Sequence, residues 1–183
     1  QFNGDFHFGQ INSTTELEML AGSMLRADQM NLTATMDFQA GEFRSPSASM
    51  GAGAFWDMKG GESFMDQFKF LAGSRGSQTS GTSNVGHMQL EANSYYDLAA
   101  GNFISTQSMD IQAGSTFNMT NGYLESPSMN IAAKFLMSGG RSVINKYTFD
   151  NGGRGTHSSG RAEVEQMLLK LGSIYDMTAG ELI

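Results

Sequence analysis

Three histidines and eighteen acidic residues are the groups in this 183-residue chain best suited to chemistry, and there is no cysteine. His7, His87 and His157 lie far apart in unrelated contexts, so structural or solvent-facing roles are expected for each. The sharper alternative is an axial metal site, formed if three copies of His157 meet on a shared axis. Glu62, Asp66, Glu163 and Glu165 are acid and base candidates of the kind used by solenoid enzymes that act on polysaccharides. Such enzymes gather Asp, Arg, Lys and aromatic residues on one side. Here the aspartates recur along the chain, which implies solvated or corner positions, so no catalytic residue is assigned. The Gly-Ser tracts Gly73–Gly86 and Gly152–Gly160 contain no phosphate-loop lysine and follow no phosphate-loop spacing. They read as surface loops. The glycine-rich nonapeptide of calcium-binding solenoids is missing as well, and no cofactor is expected.

Composition narrows the classes. Glycine is frequent at 23 residues and proline scarce at 2, with no Gly-X-Y period, which excludes collagen. Fourteen methionines and thirteen phenylalanines are enough to build a core. A net charge of −7 argues against a nucleic-acid footprint and against anionic lipid. No apolar run reaches the roughly 18 residues of a membrane span, and no signal peptide is seen.

The groups above must be positioned by repeats. Gly22, Gly41, Gly61, Gly81, Gly101, Gly140, Gly160 and Gly180 recur at about 20 residues or a multiple of it, and they are read as corner glycines. An apolar column runs Met30, Met50, Phe70, Leu90, Met109, Met129, Phe149, Leu169, and a second begins at Leu32 and passes through Ile111 and Ile131. Sliding the chain by 79 residues lays Leu17–Ile104 on Tyr96–Ile183 without a gap, with roughly 28 of 88 pairs identical. The chain is therefore a duplicated block of four rungs, with copies at about 17–95 and 96–183. Residues 1–16 read as a first strand or the remnant of a linker.

Within each rung apolar residues alternate, which places them on one face of a strand. The expected core adds Phe38, Trp56, Met58, Tyr96, Leu98, Phe117, Met137, Tyr175 and Met177 to the columns. The segment 162–171 has apolar residues at helical spacing, but the duplication lays it on an alternating segment, and it is assigned as strand. The fold expected is all-β, a triangular β-helix or β-prism with about 20 residues per rung.

Such a rod can be one chain coiled alone or three chains intertwined. At about 4.8 Å per strand spacing, nine rungs give roughly 40 Å in the first case and 125 Å in the second. Two features favour three chains. Asp37 and Asp57 occupy equivalent outward positions, and direct stacking of like charges is unfavourable. The polar rung Ser74–Ser80, repeated at Gly153–Ser159, would also leave one layer of a narrow core without apolar filling.

The stretches Met109–Lys134 and Met88–Gly101, alternating strands that end in Ala-Gly or Ser-Pro corners, resemble the intertwined β-helix of the central spike proteins of contractile-tailed bacteriophages and of type VI secretion systems. The resemblance is one of pattern and covers about Leu17 to Ile183. It implies a homotrimer in the virion tail baseplate that pierces the host envelope mechanically and is not an enzyme. Implied partners are its own copies, baseplate or tail-tube proteins at the N-terminal end, a tip-capping protein and the host envelope, with no nucleic acid. The His-x-His pair that closes some spike tips around a metal ion is missing here. Two other readings stand beside this one: a single-chain solenoid acting as an adhesin stalk or bactofilin-like filament module, and a solenoid enzyme acting on polysaccharide.

Overall fold

A computed structural model describes residues 1–183. The chain is all-β and winds as a solenoid of about 9 turns with about 20 residues per turn. Long strands form one ten-stranded parallel sheet: β1 (Asp5–Ser13), β3 (Met24–Leu32), β5 (Glu42–Met50), β7 (Glu62–Phe70), β9 (Thr82–Leu90), β11 (Asn102–Ile111), β13 (Tyr123–Ile131), β15 (Arg141–Phe149), β17 (Arg161–Leu169) and the short β19 (Glu181–Leu182). Short strands form a nine-stranded sheet: β2 (Leu17–Met19), β4 (Thr35–Phe38), β6 (Phe55–Met58), β8 (Arg75–Gln78), β10 (Tyr95–Leu98), β12 (Thr116–Met119), β14 (Lys134–Met137), β16 (Arg154–His157) and β18 (Ile174–Met177). Within residues 1–16, Asp5–Ser13 form β1, which pairs with β3.

Two sheets make three sides. In β7 the alternation inward-outward breaks once, where Asp66 and Gln67 both face solvent, and the same break recurs in β5 at Pro46-Ser47. Two consecutive outward residues turn a corner without ending the ladder. The Ser45 hydroxyl fixes that corner by donating to the Ser47 carbonyl at 2.8 Å, and Ser126 donates to Ser128 in the same way. The other two corners are the turns on either side of each short strand. At one of them Gly41, Gly61, Gly81, Gly101, Gly122 and Gly140 stack rung upon rung, all with φ between 74° and 98°. A Cβ on Gly61 would lie 2.4 Å from the Gly41 carbonyl oxygen. Both the left-handed backbone and the close approach of neighbouring rungs demand glycine there.

The segment 162–171 is not helical. Arg161–Leu169 is β17, in register with β15. The Gly-Ser tracts are not loops either. They contain β8 and β16, paired on both sides.

Intertwining is overturned by the register. Residues about 20 apart in the same chain are direct ladder partners, as in Thr35↔Phe55 and Phe68↔Met88, and every strand between the two ends of a sheet has neighbours from its own chain on both edges. No edge is left in the body of the rod for a strand from another chain. Both features that favoured three chains find local answers. Asp37 does stack directly on Asp57, but Lys59 Nζ lies 2.9 Å from one carboxylate and 3.0 Å from the other. The polar rung is filled by its neighbours: Gly76 leaves room for Tyr96, whose Cδ2 would lie 2.4 Å from a Cβ at that position.

From Met30 to Phe149 every core residue named from the sequence is buried to 1% exposure or less. They lie in one continuous cluster with an aromatic spine, each ring 4.6–6.0 Å from the next through Trp56, Phe68, Phe70, Tyr96, Phe117, Phe135, Tyr147, Phe149 and Tyr175. Leu169 and Met177 differ. They are 48% and 41% exposed, and Tyr175 is only partly buried, because no rung lies beyond theirs. The apolar columns also need re-registering. The true inward files are Leu32–Met50–Phe70–Leu90–Ile111–Ile131–Phe149–Leu169 and Met30–Ala48–Phe68–Met88–Met109–Met129–Tyr147–Met167. The sequence column jumped between them because two corners, Thr33–Ala34 and Ala132–Ala133, are short and because β11 carries a register shift between Ser105 and Ser108.

Candidate functional site

The three histidines occupy unrelated places. His7 is exposed on β1, 3.7 Å from Asp28. His87 lies on the outward face of β9, bonded through Nδ1 to Ser108 Oγ at 2.7 Å. His157 is fully buried inside the short-strand side. Its Nε2 lies 3.2 Å from the Gly160 carbonyl and its Nδ1 3.2 Å from the Tyr175 hydroxyl. A carbonyl only accepts, so Nε2 carries the proton and Nδ1 accepts from Tyr175. Both nitrogens are engaged, and His157 lies in the core of one chain, so the axial metal site is excluded by geometry.

This arrangement explains why His157 falls opposite Gln78 in the duplication. Gln78 Oε1 accepts from the Tyr96 hydroxyl at 3.0 Å and from Ser83 at 3.0 Å, while its amide donates to the Gly81 and Asn102 carbonyls. Either side chain bridges an inward-facing tyrosine to a corner glycine. Burial drives the hydroxyl pKa of Tyr96 far above its ordinary value, so the phenol stays a neutral donor.

The acidic candidates are not brought together. Glu62 and Glu163 are on adjacent outward files of the long-strand sheet, but five rungs apart. Glu163 is clamped by Arg141 at 2.9 Å and Arg161 at 2.9 Å, and the Arg141 hydrogen bond holds its carboxyl below the usual carboxylate range. Asp66 sits at the corner of β7, and Glu165 at the equivalent corner of β17. No group of three or more His, Cys, Asp or Glu side chains has the geometry to hold a metal.

What the structure does bring together escapes the sequence columns. His7, Arg26, Arg44, Phe64 and Asn84 stand in one outward file, each the ladder partner of the next. The Arg44 guanidinium lies 4.2 Å from the Phe64 ring centroid and is held by Glu42. Beside this file runs the corner file of Asp28, Pro46, Asp66 and Gly86, and between them lies a recess of about 460 Å³. The signal was hidden because Arg26 and Arg44 are 18 residues apart, not 20.

No family model, curated protein or solved structure matches the chain. The functional reading therefore rests on the molecule's own geometry.

Proposed function

We propose that this chain is a structural protein: a stiff, single-chain β-solenoid rod that acts as a stalk or filament module, without catalysis. The observation that carries the reading is the unbroken ladder. Hydrogen bonds join every rung to the next along the whole length, a single core fills the interior, and strand edges are open only at the two ends. Such a rod resists bending and presents no lateral edge for aggregation. The same stiffness would serve a piercing tail spike assembled with baseplate proteins in a virion, the function implied by the resemblance. That reading leaned on three-fold winding, and the pairing of each rung with its own chain removes that support, so the stalk or filament module is preferred.

Native mass spectrometry tests the choice. A species of 19.7 kDa, or end-to-end multiples that dissociate on dilution, is the expected result. A discrete, SDS-resistant species of three chains would overturn the single-chain rod and restore the spike.

A further inference from the structure

The recess on the long-strand side is a built feature that a rod does not need. It spans six consecutive rungs, from His7 on β1 to Thr106 on β11, about 24 Å at roughly 4.8 Å per rung. Its two walls differ in chemistry. One file offers donors and an aromatic face through Arg26, Arg44, Phe64 and Asn84. The corner file offers acceptors through Asp28 and Asp66. Arg26 and Asp66 form no ion pair with anything in the chain, and Asp28 meets only His7. At two other places on this rod stacked like charges are closed by a bridging partner: Lys59 closes Asp37 and Asp57, and Glu163 closes Arg141 and Arg161. Here charged groups of both signs are left facing the recess.

In the corner file, a Cβ at Gly86 would lie 2.5 Å from the Asp66 carbonyl oxygen, so only glycine fits at that position and no side chain stands beside Asp66 there. Phe64 is fixed by the Arg44 stacked on it, and Arg44 is fixed in turn by Glu42, so the aromatic wall is organised before any guest arrives.

We propose that this recess is a binding groove for a neutral, linear oligosaccharide lying along the rod axis. The walls select the class. A polyanion would meet Asp28 and Asp66, and a polycation would meet Arg26 and Arg44. A hydroxyl both donates and accepts, so a polyhydroxylated chain satisfies both walls at once. The apolar face of a sugar ring suits the half-buried Phe64 ring. The files repeat once per rung, which suits a ligand that is itself a repeating polymer.

The test is calorimetric titration of the full chain with cellohexaose, chitohexaose and maltohexaose, with a heparin hexasaccharide and hexalysine as charged controls. At least one neutral hexasaccharide is expected to bind. Phe64→Ala and Asp66→Asn should each weaken that binding at least tenfold, while Lys134→Ala, outside the groove, leaves it unchanged. Circular dichroism on the variants separates loss of binding from loss of fold. Failure of all three neutral sugars to bind, preference for either charged control, or binding indifferent to Phe64 and Asp66 would each overturn the assignment. The mass measurement on the rod is independent of these outcomes.

Discussion

Single side chains decide whether this narrow interior tolerates polar atoms. Gln78 satisfies the hydroxyls of Tyr96 and Ser83 together with the corner carbonyls, and His157 does the equivalent work for Tyr175 and Gly160. Gln78→Ala leaves those buried groups unpaired and is expected to cost about 1–3 kcal/mol in chemical denaturation. Gln78→His restores the bridge and should recover most of that loss. Equal destabilisation by both variants would refute the shared role. Lys59 is the second decisive residue. Removing it as Lys59→Met leaves Asp37 stacked on Asp57, with an expected loss of roughly 0.5–1 kcal/mol that shrinks in high salt. Its hydrogen bonds to Asp37 and then Asp57 raise the Lys59 pKa above the ordinary 10.5. The stabilisation is therefore complete below that value and fades as pH rises through the raised one, where wild type and variant should converge in urea midpoint.

At the scale of the rung, each corner has its own rule. Gly61 combines a φ of 74° with a carbonyl 2.4 Å from the site of a Cβ, whereas Gly53 has a φ of 77° and open space around it. Asn93, with a φ of 62°, is the one non-glycine residue in a left-handed conformation, and it stands in a corner of the same kind as that of Gly53. Gly53→Asn is accordingly expected to change the melting temperature little. Gly61→Asn should destabilise the rod strongly, because two rungs must separate to admit it. Comparable melting temperatures for the two variants would contradict the steric reading of the glycine stack. The alternation, the glycine spacing and the duplication were all readable from the residues, and they placed strands where a helical pattern invited a helix at 162–171. The polar Gly-Ser tracts misled because their filling comes from rings of adjacent rungs, which no local window contains.

For the whole molecule, length and mass are one question. A single chain of stacked rungs gives a rod of roughly 40 Å at about 4.8 Å per rung, against about 125 Å for a three-chain winding of the same rungs. Small-angle scattering distinguishes these maximum dimensions independently of mass. The far end is apolar: Leu168, Leu169, Leu171, Ile174, Met177, Leu182 and Ile183 are all exposed on the last turn.

The sequence by itself determined that the chain is a repeat-built, all-β rod with about 20 residues per turn, because alternation and glycine corners are properties of a strand and its two neighbours. It also determined which residues fill the core from Met30 to Phe149. Tertiary structure alone decided the register, and with it everything that depends on which rungs touch. The short corner at Thr33–Ala34 puts Arg26 on Arg44, and contacts between neighbouring rungs lay Lys59 between Asp37 and Asp57 and form the groove beside Phe64. A periodic sequence fixes the spacing of its rungs but not their partners, because the same period is satisfied by one chain or by three. The choice falls to side-chain contacts between rungs, which exist only once the chain has wound.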